Sequence, residues 1–208
     1  MAEPRYQRRK EERPDEIAEA AFDVFSEHGY AGARVDEVAR KAGVSKGLLY
    51  LYFKTKEELF KAVIMRVISP KMDALIERLS ASDQGAEALL RGPLQQFMQK
   101  LPRSRARVVI KLMISDGSRH PDLVDFYWES VASKGLALIS SIVERGVASG
   151  EFRKTAVSEL PQLVIAPMMV ATIWKIIFAD RSLDTDRLVS THIDMLVSYL
   201  KAEGSEMR

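Results

Sequence analysis

The 208-residue sequence contains no cysteine, which excludes a disulfide framework, a thiolate metal site and cysteine nucleophilic catalysis together. Histidine is almost as scarce. His28, His120 and His192 lie far apart, and none has a second histidine or a carboxylate at ligand spacing, so neither a metal nor a cofactor is expected. A glycine-rich phosphate loop, an alternating strand pattern and an internal repeat are also missing. The opening MAEPRYQRRKEERPDE has no apolar core of the signal-peptide kind, and a cytoplasmic protein is the expectation. The apolar run at 163–179, LVIAPMMVATIWKIIFA, is too short to span a membrane and is interrupted by Pro167 and Lys175.

What remains is a chain with 47% hydrophobic residues, enough to bury a sizeable core in one or two domains. Its periodicity is helical throughout, so the expected fold class is all-α. A first helix is predicted from Pro14, with Ile17, Ala20, Ala21, Val24 and Phe25 on one face, running to Gly29; His28 near its end takes a surface or capping role. Thr55 and Glu58 fit a capping box that opens one long helix to about 80, with Leu59, Val63, Val67, Leu75 and Leu79 inward. Further helices are predicted near 84–100, 103–119, 121–149, 158–179 and 184–202. Pro102, His120-Pro121, Ser149-Gly150 and the segment 180–184 supply the breaks.

The densest signal lies between Arg34 and Leu59. Two short helix patterns there are separated only by Ala42-Gly43-Val44-Ser45, which leaves room for one tight turn. Gly43 stands where a helix end favours a left-handed residue, and Ser45 can cap the next helix through its side-chain oxygen. In that second helix Leu49 and Phe53 share one side, leaving Lys46, Tyr50 and Tyr52 for another. From Val38 to Lys56 there are five cations, Arg40, Lys41, Lys46, Lys54 and Lys56, and no acid. A basic run is ordinarily a solvated face, but on a helix-turn-helix it becomes the footprint that phosphate binding requires.

The stretch AGVSKGLLYLYFKTKEELF, preceded by IAEAAFDVFSEHGY, resembles the DNA-binding domain of the TetR family of transcriptional regulators. The resemblance implies a three-helix helix-turn-helix head followed by a larger helical domain for effector binding and dimerisation. Accordingly, residues 1–13 are expected to be a flexible basic arm, 14–56 the DNA-binding domain and 57–208 the remainder. A minor-groove role for Arg5, Arg8, Arg9, Lys10 and Arg13 is the alternative to a plain tail. Where the family often has threonine or serine before the first helix of the motif, this chain has Ala33-Arg34, which weakens the expected cap and offers Arg34 to a phosphate. In a helix that enters the major groove end-first, Ser45, Lys46, Gly47 and Leu48 come first: Lys46 for guanine or phosphate, Gly47 for clearance, Leu48 for a thymine methyl or for packing. Tyr50, Tyr52, Lys54 and Lys56 suit phosphate oxygens.

The remainder is less specific. The run at 163–179 is apolar on nearly all sides and the last helix adds a stripe, so Met169, Ile173, Leu188, Met195, Leu196 and Tyr199 are expected at a homodimer interface, as the resemblance also implies; burial inside a monomer is the alternative. The resemblance implies a pocket for a small-molecule effector among the middle helices. Candidate linings are Phe97, Met98, Met113, Phe126, Tyr127, Trp128, Met168 and Trp174, residue types that line apolar pockets and more commonly fill cores. Arg103, Arg105 and Arg107 mark a solvated helix start in preference to an anion site. The expected function is a dimeric regulator, a repressor in the first instance, that binds a near-palindromic double-stranded operator and is released by an effector of unknown identity. The rival, a ligand-binding protein or enzyme with an incidental helix-turn-helix head, has no nucleophile–base pair in its favour.

Overall fold

The computed structural model describes residues 5–201. In chain order its α-helices are α1 (Arg5–Gly32), α2 (Val35–Lys41), α3 (Lys46–Tyr52), α4 (Lys56–Val67), α5 (Ser69–Ser80), α6 (Ala86–Leu89), α7 (Gln95–Lys100), α8 (Ala106–Asp116), α9 (Pro121–Tyr127), α10 (Ser133–Ser149), α11 (Gln162–Ile177) and α12 (Thr185–Leu200). Among the described residues the one departure from helix and loop is an isolated antiparallel bridge between Phe152 and Lys201. The all-α expectation holds. The chain forms two compact units, one comprising the chain to Pro70 with Val108–Ser130, the other Lys71–Arg107 with Val131 onward.

The first unit is built on α1 and α4. Ile17, Ala21, Val24 and Phe25 of α1 face Leu59, Phe60, Val63 and Ile64 of α4, all nearly or fully buried. Each of these side chains larger than alanine contributes roughly 1.5–3 kcal/mol on burial. Phe60 is the hub: its ring meets Phe25 edge-on at 5.1 Å and Tyr30 at 5.3 Å. α9 packs on α4, with Leu123 buried and the Lys61 ammonium 5.3 Å from the centre of the Phe126 ring.

The second unit joins α11 and α12 to α7. Val189, Ile193, Val197 and Leu200 of α12 and Val164 and Ala171 of α11 are buried, as is Met98 of α7. Thr172, buried on α11, donates its hydroxyl to the Met168 carbonyl at 2.7 Å and so satisfies itself within the helix. α10 contacts the α6 region, and Gly146 of α10 lies so close to the Phe152 ring that a Cβ there would be 2.1 Å from it. The carboxylate of Glu151 accepts from the Ala86 and Glu87 N–H groups, both at 3.0 Å, and caps α6. The helix start has no capping side chain of its own, because residue 85 is glycine.

Several predicted boundaries are corrected. Helical backbone begins at Arg5, not Pro14, because the Arg-, Lys-, Gln- and Glu-rich stretch before the proline is itself helix-forming. The expected arm therefore overlaps α1, and residues 1–4 lie outside the described chain. The long helix predicted to 80 is two, broken around Ile68 where Pro70 supplies no N–H to continue the ladder. The stretch 84–100 contains a wide π-type turn at Leu90–Leu94 around Pro93, and 121–149 contains another at Trp128–Ala132. The helix expected from 158 starts at Gln162, after Pro161. α4 packs on α1 and belongs to the first compact unit.

Candidate nucleic-acid interface

The turn between α2 and α3 is set by two residues. Gly43 has φ +65, and a Cβ there would have nothing within 4 Å, so backbone conformation and not crowding selects glycine. The Val44 N–H returns to the Ala39 carbonyl at 3.0 Å and closes the end of α2. Ser45 then takes an extended conformation and accepts the Leu48 N–H on its hydroxyl at 3.1 Å, the predicted cap. At the other end of the motif Arg34 precedes α2 without a side-chain cap, as the missing Thr or Ser implies.

α3 buries Leu49, and Phe53 is buried just beyond its end, so the short helix is held on one side. Lys46, Gly47, Tyr50 and Leu51 are exposed, and Leu48 and Tyr52 are half-buried. Ser45, Lys46, Gly47, Leu48, Tyr50 and Tyr52 are thus gathered on one short element. Leu51 was not among the expected contacts although it is the most exposed large apolar residue described, at 72%. Its place on the helical wheel, two positions from Leu49 and four from Gly47, was the signal that could have found it.

Four of the cations have acidic partners in the free molecule. Lys46 Nζ sits 2.6 Å from Asp36 Oδ1 of α2, and this contact raises the lysine pKa and lowers that of the carboxyl. The same carboxylate lies 3.8 Å from Arg34, Lys41 is 3.1 Å from Asp23, and Arg40 is 3.8 Å from Glu37. His28 meets Glu37 at 3.1 Å, the surface role expected of it. Lys54 is exposed; its N–H donates to the Glu58 carboxylate while Thr55 accepts the Glu58 N–H, so the box at the start of α4 forms with its carboxylate shifted one residue back.

Lys56 is set differently from the other cations. Its ammonium donates to the Ala31 carbonyl at 3.0 Å and stands 4.8 Å from the Tyr30 ring centre, and burial lowers its pKa. It is half-buried and ties α4 to the end of α1.

The residues expected to line a pocket divide between the units: Met113, Phe126, Tyr127 and Trp128 belong to the first, Phe97, Met98, Met168 and Trp174 to the second. Met98 is fully buried, and Trp128 is 53% exposed. Trp174 donates its indole N–H to the Arg181 carbonyl at 3.3 Å and packs on Phe178, an arrangement that closes the end of α11. Among the expected dimer residues Met195, Tyr199 and Ile173 are exposed, Met169 and Leu188 half-buried. Leu196 is the exception, buried in its own unit because α12 turns it inward beside Ile193 and Val197. No described helix is long and apolar enough to cross a membrane.

Residues 17–63 match the model of the bacterial regulatory proteins of the tetR family, and 85–192 match that of the tetracyclin repressor-like C-terminal domain. The chain is 27% identical over 195 residues to the fatty acid metabolism regulator protein of Bacillus subtilis, covering 91% of this chain and 97% of that one. The crystal structure of the transcriptional regulator FadR from Bacillus subtilis in complex with stearoyl-CoA superposes with a TM-score of 0.71 at 25% identity, covering 89% and 98% of the two chains. SmeT, the repressor of a Stenotrophomonas maltophilia multidrug efflux pump, has the same fold in its triclosan complex, with a TM-score of 0.76, 23% identity and 92% and 93% coverage.

Proposed function

The chain belongs to the TetR family of bacterial regulatory proteins, and on that premise we propose how this DNA-binding regulator of transcription engages its operator. The exposed face of α3 enters the major groove with Lys46, Gly47 and Tyr50 leading, and with Ser45, Leu48 and Tyr52 beside them. Arg34 and Lys54 meet phosphates at the two ends of the motif. The observation that carries this reading is α3 itself, a seven-residue helix capped by Ser45, anchored by Leu49, and exposing a cation and a tyrosine. Lys46 exchanges Asp36 for DNA on binding.

The regulator acts as a homodimer on a near-palindromic operator inside the cell. Support comes from apolar side chains left exposed on the last two helices, Leu163, Val170, Ile173 and Ile177 of α11 with Met195 and Tyr199 of α12. It represses, and a small apolar or amphipathic effector lowers its operator affinity. A long-chain acyl thioester is the first candidate, because the FadR relative, matched over nearly its whole length, was solved with stearoyl-CoA.

Gel-shift titration on the duplex upstream of the chain's own gene tests the DNA reading; absence of a sequence-preferring, salt-sensitive complex overturns it. Stearoyl-CoA titrated against free protein and against the complex tests the effector, since linkage requires a releasing ligand to bind the complex more weakly by the factor with which it weakens DNA binding. Equal affinity for both forms eliminates it. Sedimentation showing a monomer at micromolar concentration would remove the dimer.

A further inference from the structure

The outer ridge of α3 carries no hydrogen-bonding side chain. At about 100° per residue, Gly47 and Leu51 each stand roughly 160° from the buried Leu49. Lys46 and Tyr50 flank this ridge on one side, Leu48 and Tyr52 on the other. An isolated exposed leucine is ordinary on a protein surface. This one is informative because of what lies four residues before it. A Cβ built on Gly47 meets only the Ser45 hydroxyl, at 4.0 Å, so neither packing nor backbone conformation within the chain requires glycine there. A helix position stripped of its side chain next to a projecting branched apolar group makes physical sense against an object outside the chain. The bare position lets the helix approach closely, and the leucine reaches a matching apolar group.

On the major-groove edges of a DNA duplex the apolar group is the thymine C5-methyl. We propose that Leu51 is a specificity-determining residue that packs on the methyl of one thymine in each half-site, with Gly47 admitting the helix to the necessary depth. The proposal rests on α3 being the groove-reading helix and goes further by assigning the base and the atom. Leu48, half-buried, stands on the flank of this ridge and not on its crest.

The test uses the full-length protein and a duplex it selects from a random pool. Each thymine of that duplex is replaced in turn by deoxyuridine, which deletes the methyl and keeps the base pair. One thymine per half-site should be sensitive: its replacement weakens binding about four-fold, the worth of one buried carbon group, and replacement in both half-sites about sixteen-fold. Leu51→Ala should bind the thymine and uracil duplexes equally, with the wild-type salt slope and an unchanged thermal melt, and Leu51→Met should restore the preference. A thymine preference that persists undiminished in Leu51→Ala overturns the proposal, as does a wild-type protein indifferent to every methyl. If no duplex is enriched and no salt-sensitive complex forms, the reading of α3 fails first and the assignment falls with it.

Discussion

Replacing Lys46 by alanine separates two ways in which α3 can use its cation. The unbound side chain is half-exposed and paired with Asp36, so its loss leaves the fold intact and its effect is read on DNA. A phosphate contact releases counterions, and each one contributes about 0.9 to the slope of log K against log salt. Two copies on a palindromic site therefore remove about 1.8 from the slope. Between 50 and 200 mM salt, that lowers the loss of affinity by a factor of about 12. If Lys46 reads guanine, the mutant instead loses roughly 5- to 150-fold at one base position, with specificity relaxed there. Asp36→Asn is the complementary probe: removing the competing carboxylate should tighten binding at every salt concentration. Fluorescence anisotropy with a labelled operator, run over a salt series for both variants, provides the measurement. If Lys46→Ala keeps both its affinity and its slope, the cation is a structural partner of Asp36 and the interface has been misassigned.

Other substitutions test the framework. Ser45→Ala deletes the cap on α3 and should cost about 1 kcal/mol in chemical denaturation along with operator affinity; a mutant with full stability would show that the hydroxyl bond is idle. Phe60→Ala empties the hub between Phe25 and Tyr30 and should cost about 3–5 kcal/mol. Gly146→Ala drives a methyl into the Phe152 ring and should cost about 1–3 kcal/mol, read as a lower melting temperature; an unchanged melt would mean the ring can move aside. Burial, then the charges of Glu57 and Asp116, raises the Tyr30 pKa, so the folded state holds that proton longer than the unfolded chain. Stability should therefore fall as pH climbs through and above the ordinary tyrosine value, and Tyr30→Phe should flatten this alkaline loss when urea midpoints are compared across pH.

The helix-turn-helix was legible because its signals are local. Gly43, Ser45 and Leu49 each act within four residues of where they stand, and pattern reading captures such effects. The partners of Lys56, Ala31 and Tyr30, were not legible, because the packing of α4 on α1 brings them to it and spacing does not reveal that. Leu196 shows the same limit: a stripe identifies a helix's apolar face but not how far round the face the core extends. The breaks at Pro70 and Pro93 were visible as residues, yet the surrounding apolar periodicity outweighed them; the helix yields by breaking in one case and by widening a turn in the other. The pocket was the least legible part. Methionine and aromatic side chains look alike in a core and in a ligand site, and Met98 and Trp128 differ only once burial is known.

The cap on α6 has a consequence for the order in which the protein can be made. Its acceptor, Glu151, lies more than sixty residues after the N–H groups it satisfies, and the neighbouring Arg153 N–H is held by the Leu200 carbonyl at 2.8 Å. While the ribosome is still adding residues before 151, the first turn of α6 has no side chain to receive its free donors. That turn can be capped only late in synthesis, whereas both partners of the cap on α3 are present as soon as Leu48 has been added.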